Sequence, residues 1–208
     1  VTVTVANGKS SEEYTALIDY VKTHDLSVAA NYEYVESLVD INNYIDYIVC
    51  EIIIANADNG NIKFYKIDGG KWRWIIYDVD QSFREANHKT VSAHLNPAGT
   101  GSNDWFSTAL INALLKNSGF KDMFLARMAY QLNYVWTPEI VNAEIDAYKA
   151  AIIGDMQKEC DRWGKSYKTW ETNVENMRYF INNRAKYVKE QVQSYFKLTD
   201  AQMSSYGF

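Results

Sequence analysis

The chain has 208 residues, 47% of them apolar and 23% charged, which is enough for one domain with a sizeable core and excludes disorder and collagen-like structure. Its longest apolar stretch, Tyr47 to Ala55, is interrupted by Glu51 and falls far short of the ~20 residues of a membrane span. The net charge is −5, and residues 1–58 hold two Lys against ten acids, the opposite of what a nucleic-acid phosphate backbone would select.

In chain order, Val1 to Val5 alternates at period two and reads as a short strand. A helix follows, capped by Ser10 or Ser11, with Glu12 and Glu13 in its first turn and Tyr14, Leu17, Ile18 and Val21 as its apolar stripe. Residues 24–39 are less regular and offer Tyr32, Tyr34, Val35 and Leu38 to the core. Asp40 caps a strong helix from Ile41 to Ala55, apolar on most sides and therefore central. Asn56 to Asn61 form a polar loop, after which the period changes to two. Residues 62–67 and 71–77 are predicted strands joined by a turn at Asp68-Gly69-Gly70. Residues 84–104, rich in Asn and Gly, are predicted to be a mobile loop.

Helices are then expected at 105–116, at 120–134, from Pro138 behind the capping Thr137 to about Met156 or beyond, and at 169–196, with Trp163-Gly164 as a break. Without repeats or low-complexity tracts, this is one α+β domain in which helices dominate. Cys50 and Cys160 are too few and too far apart for a disulfide framework or a thiolate zinc site, and Cys50 reads as a small buried hydrophobe. The histidines are expected at the surface, and the tryptophans in the core.

Chemistry concentrates at two places, Asn56, Asp58 and Asn61 after the central helix and Asp78 and Asp80 after an apolar strand, which the hairpin can bring together. Asp and Asn oxygens are hard donors suited to Mg²⁺, and a carboxylate not committed to metal can accept a hydroxyl proton. The order Asp, Asn, strand, Asp is that of the catalytic base and metal-holding groups of kinase-type phosphoryl transfer. A simple turn, a calcium loop, a helix cap or a different phosphoryl-transfer site remain open on these residues alone. Arg162-Trp163-Gly164 and Asn183-Arg184 read as structural, with arginines pairing acids between helices.

The segments Asn56-Ala57-Asp58, Asn61 to Tyr65 and Gly70-Lys71-Trp72-Arg73-Trp74-Ile75-Ile76-Tyr77-Asp78-Val79-Asp80-Gln81-Ser82-Phe83 resemble the core signature of the CotH family of spore-coat protein H kinases. Leu114 to Asn117, Phe120 to Phe124, Arg162 to Gly164, Trp170 and Asn183-Arg184 extend the resemblance over about residues 10–198. It implies the C-terminal lobe of an atypical protein-kinase-like fold, with a small hairpin carrying the metal-site Asp. It also implies ATP and Mg²⁺ or Mn²⁺ as cofactors, and Ser or Thr of surface or coat proteins as substrate. Extracellular, cell-surface or spore-coat placement follows from the same likeness.

By that likeness Asp58 would be the catalytic Asp, Asn61, Asp78 and Asp80 would serve the metal, and Asn56 would support the turn. The loop after Asp58 is shorter than the family pattern and lacks its Trp and Pro. Residues 1–40 hold only Lys9 and Lys22 and no glycine-rich cover, so the nucleotide-binding N-terminal lobe is expected to be absent and the chain alone inactive. The alternative is a non-catalytic interaction or scaffold module on the same fold.

Overall fold

A computed structural model describes residues 11–57, 60–96 and 108–208. Three helices, α1 (Glu12–Thr23), α2 (Ala29–Leu38) and α3 (Ile41–Ile54), lead into a two-stranded antiparallel hairpin, β1 (Lys63–Tyr65) and β2 (Arg73–Ile75). Six further helices follow: α4 (Thr90–Leu95), α5 (Ala109–Leu114), α6 (Ser118–Tyr134), α7 (Pro138–Trp163), α8 (Tyr167–Phe196) and α9 (Asp200–Tyr206). The architecture is helix-dominated α+β, as the sequence predicts. The expected strand at residues 1–5 lies outside the described residues.

The central helix α3 begins where Asp40 accepts a hydrogen bond from the Asn43 amide, and ten of its fourteen residues are buried. It packs against α4, α6, α8 and β2, so its all-round apolar sequence is matched by neighbours on every side. The hairpin pairs Phe64 with Trp74, and Gly69 supplies a positive φ in its turn. A two-stranded hairpin is marginal by itself, and here helices complete it. Asn43 donates to the Trp74 carbonyl and accepts from the Trp74 amide (3.2 and 2.6 Å), mimicking another strand. Trp72 bonds the backbone of Leu38 and Asp40. Trp74 is buried against Tyr44, while Phe64 stacks on Tyr14 with ring centroids 4.2 Å apart.

Several expectations change. Within the predicted loop 84–104, residues 90–95 form α4, because Val91, His94 and Leu95 are buried against the core. Residues 97–107, including Trp105, lie outside the described ones. His94 is therefore buried rather than at the surface. Trp163 is 62% exposed, whereas the sequence reading put it in the core. Residues 29–38 are regular helix. α7 runs on to Trp163, where Gly164 ends it in the left-handed conformation. Both cysteines are free, and burial pushes the Cys50 thiol up to about 12, with Glu51 and Asp46 adding to the effect.

Candidate functional site

The site forms where the end of α3 meets the end of β2. Ala55 turns left-handed (φ 55°) to close α3, donating to the Glu51 and Ile52 carbonyls. The chain beyond it is bonded directly to the segment after β2. The Ala57 amide donates to the Gln81 carbonyl (3.3 Å), and the Phe83 amide donates to the Ile54 carbonyl (3.0 Å). Two backbone bonds thus hold together the segments that carry Asn56 and Asp80.

Asn61, just ahead of β1, donates its side-chain amide to Asp78 Oδ2 at 3.0 Å. Of the residues singled out in the sequence, the hairpin brings these two together. Asp80 accepts from the Gln81 side chain at 3.0 Å, and both aspartates are exposed. Asp58, expected to be the catalytic carboxylate, lies outside the described residues. Asn56 is 3% exposed, and its amide hydrogen-bonds the Glu51 carboxylate.

Asp78 and Phe83 also have positive φ (55° and 59°). Left-handed backbone costs a residue with a side chain on the order of 1–2 kcal/mol, least for Asp and Asn, and is retained where the surroundings over-determine it. At Asp78, three residues beyond β2, it bends the chain into a turn closed by the Ser82 amide on the Val79 carbonyl (3.1 Å). At Phe83 it drives the ring inward onto Phe180 (centroids 4.7 Å) and towards Trp136 (6.3 Å).

Two further residues support this site, Arg184, which the sequence reading took as structural but paired with acids, and Glu51, which it missed. Arg184 is fully buried, and it pairs no acid among the described residues, contrary to expectation. Its guanidinium donates to the carbonyls of Ile52 (2.7 Å), Ile53 (3.0 Å), Ala86 (2.6 Å) and His88 (2.9 Å), and to the Thr90 hydroxyl. It thereby caps the negative end of α3 and ties it to the chain after Phe83. Burial lowers its pKa to about 10. The second support is Glu51, 2% exposed, whose carboxyl is pushed up by burial against the lowering effect of Asn56. Glu51 Oε2 and Ser82 Oγ, on the two segments that meet here, are buried without a hydrogen-bond partner among the described residues. An acid on a helix apolar all round was the available signal for Glu51. An arginine that bonds carbonyls and one hydroxyl, with no acid, leaves no such trace.

The donors at the surface of this junction, two aspartates and an asparagine, are hard oxygens of the kind that hold Mg²⁺ through one or two carboxylates while it keeps waters and phosphate oxygens. Asp78 meets Asn61 through one carboxylate oxygen, and the amide oxygen of Asn61 and the second oxygen of Asp78 belong to the same donor set. Asp78 and Asn61 are donors of the type such a cation takes, and among the described residues no group of three or more His, Cys, Asp or Glu side chains comes together around them. No helix among the described residues is long and apolar enough to cross a membrane.

No curated protein and no solved structure matches the chain. Residues 2–188 match the family model described as CotH kinase protein, nine-tenths of the length and all of the site, and the chain belongs to that family.

Proposed function

We propose that the chain carries the base and metal-holding groups of a CotH-like atypical protein kinase, which transfers the γ-phosphate of ATP to Ser or Thr hydroxyls of surface or coat proteins. The observation that supports this best is the 3.0 Å bond between Asn61 and Asp78, at a junction stitched together by Ala57–Gln81 and Phe83–Ile54 backbone bonds. Asp58 accepts the proton of the attacking hydroxyl, one residue beyond the stitched Ala57. Asn61 and Asp78 hold the divalent ion, with Asp80 beside them. Bound there, Mg²⁺ or Mn²⁺ neutralises charge on the transferring phosphate. The protein's own part is positioning: a rigid α3 end and a strained β2 end fix the carboxylates before substrate arrives.

A second reading, a non-catalytic scaffold module of a surface assembly, draws on one observation. The described residues before Asn56 lie mostly in α1, α2 and α3, and their one Lys or Arg is Lys22, exposed in the last turn of α1, so they offer no strand lysine for the phosphates.

Calorimetric titration with Mn²⁺ and ATP, followed by labelled-phosphate transfer, separates the two. The kinase reading expects Mn²⁺ binding by this chain that weakens by about tenfold or more in Asp78→Ala, and, in a protein that also supplies a nucleotide-binding lobe, transfer that is lost in Asp58→Asn. Absence of binding, or binding indifferent to Asp78→Ala, would sink it and leave the scaffold.

A further inference from the structure

Glu51 is a buried carboxyl to which the phosphotransfer reading gives no role. It lies in the last turn of α3, on a helix whose other buried positions are apolar apart from tyrosines. An aliphatic side chain there would bury without the desolvation cost of a carboxyl that leaves one oxygen unpartnered. Its hydrogen bonds at the end of α3 converge on the turn that follows. The Glu51 carbonyl accepts the amides of Ala55 and Asn56, the latter at 3.4 Å, and its carboxylate takes the Asn56 side chain. Asn56 is itself buried, and the next residue, Ala57, is the one bonded across to Gln81.

We propose that Glu51 is a positioning residue: acting through Asn56, it locks the left-handed turn at Ala55 so that Ala57 is presented against the Asp78–Phe83 segment. The catalytic consequence rests on the kinase reading above; the locking of the turn does not. Glu51 itself touches no reacting atom in this scheme. Its work is to remove the freedom that a polar loop of Asn, Asp and Gly would otherwise have.

The test compares Glu51→Leu, Glu51→Gln and Asn56→Ala by amide hydrogen exchange, thermal melting and, where wild type transfers phosphate, by kcat and KM for ATP. In Glu51→Leu the amides of Ala57 and Phe83 should exchange about tenfold faster or more relative to core amides of α6, the mark of local rather than global opening. Glu51→Gln keeps an acceptor for Asn56 and should restore most of the protection. Asn56→Ala removes the same bond from the other side and should reproduce the Leu pattern, so the proposal stays testable even if Glu51→Leu does not fold. Activity should fall in kcat, with KM for ATP nearly unchanged.

If Ala57 and Phe83 keep their protection in both Glu51→Leu and Asn56→Ala, or if all amides speed up alike, Glu51 is only a tolerated core residue and the inference fails. A local rise in exchange in a protein whose wild type binds no Mn²⁺ upholds the lock and removes the kinase reading instead.

Discussion

Replacing Arg184 by Met probes how the end of α3 is held. The two side chains are close in length, so the change removes the donors with little change in packing. Two of the carbonyls keep other donors. Ile52 retains the Ala55 amide and the Thr90 hydroxyl, and His88 retains the Thr90 amide and the Gln191 side chain. Among the described residues, the Ile53 and Ala86 carbonyls have Arg184 as their donor, and both bonds are buried.

An orphaned buried acceptor costs about 1–3 kcal/mol, so two cost about 2–6 kcal/mol, and relief of guanidinium desolvation offsets part of this. A net loss of about 3 kcal/mol is expected, and at ~2–4 °C per kcal/mol for a chain of this size the melting midpoint should drop by roughly 6–12 °C. Urea unfolding with an unchanged m-value would give the free energy directly. Arg184→Lys should recover little, because one ammonium cannot span acceptors on α3 and on residues 86–90. An Arg184→Met protein within about 0.5 kcal/mol of wild type would refute the clamp, since surface-like tolerance has no place at such a site.

Two further predictions follow from buried titratable groups. Burial, with the charges of His88 and Arg184 adding to it, holds His94 down at about 3, so the folded chain keeps it neutral where the unfolded chain binds a proton below its ordinary ~6.5. The unfolded state then carries more protons between those values, and His94 should cost up to about 1.4 kcal/mol of stability per pH unit as pH falls through this window. Glu51, raised by burial, acts in the opposite sense from the carboxylate range upward. In urea titrations His94→Gln should flatten the acid limb; parallel limbs would mean that His94 protonates without unfolding. Cys50, pushed up to about 12, should alkylate at pH 8 about a hundredfold or more slowly than an exposed thiol, and rapid labelling would show that α3 opens readily.

The parts of this fold legible in the sequence are those governed by periodicity and caps. Asp40 and Thr137 cap the helices they were expected to cap, and the change of period after Gly60 marks the hairpin. α9 carries a Thr-x-x-Gln signature, with Thr199 and Gln202 bonding each other's backbone, and a scan for capping boxes would have found it. α4 was hidden because it is a six-residue helix whose two apolar anchors, Val91 and Leu95, stand among residues typical of loops. Of the site, the meeting of Asn61 with Asp78 was legible from order and the hairpin. The clamp of Arg184 and the lock of Glu51 were not, because both act on backbone or across a single turn, and neither has a fixed partner type to search for.

Asp78 sits where the two readings of this protein diverge, because it has two tasks in the structure: it turns the chain at φ 55°, and it offers a carboxylate next to Asn61. A scaffold needs the first task alone, a kinase needs both. Asp78→Asn separates them, since Asn tolerates left-handed backbone as well as Asp and keeps a side-chain oxygen to accept from Asn61, yet loses the charge. The substitution is exposed and geometrically conservative, so stability should stay within about 0.5 kcal/mol of wild type. A hard cation held through one or two carboxylates loses a principal ligand, so Mn²⁺ affinity in calorimetry should fall by about tenfold or more. Unchanged Mn²⁺ binding would remove Asp78 from the metal set. A marked loss of stability without metal would mean that the carboxylate itself holds the turn, which is what a scaffold would have kept it for.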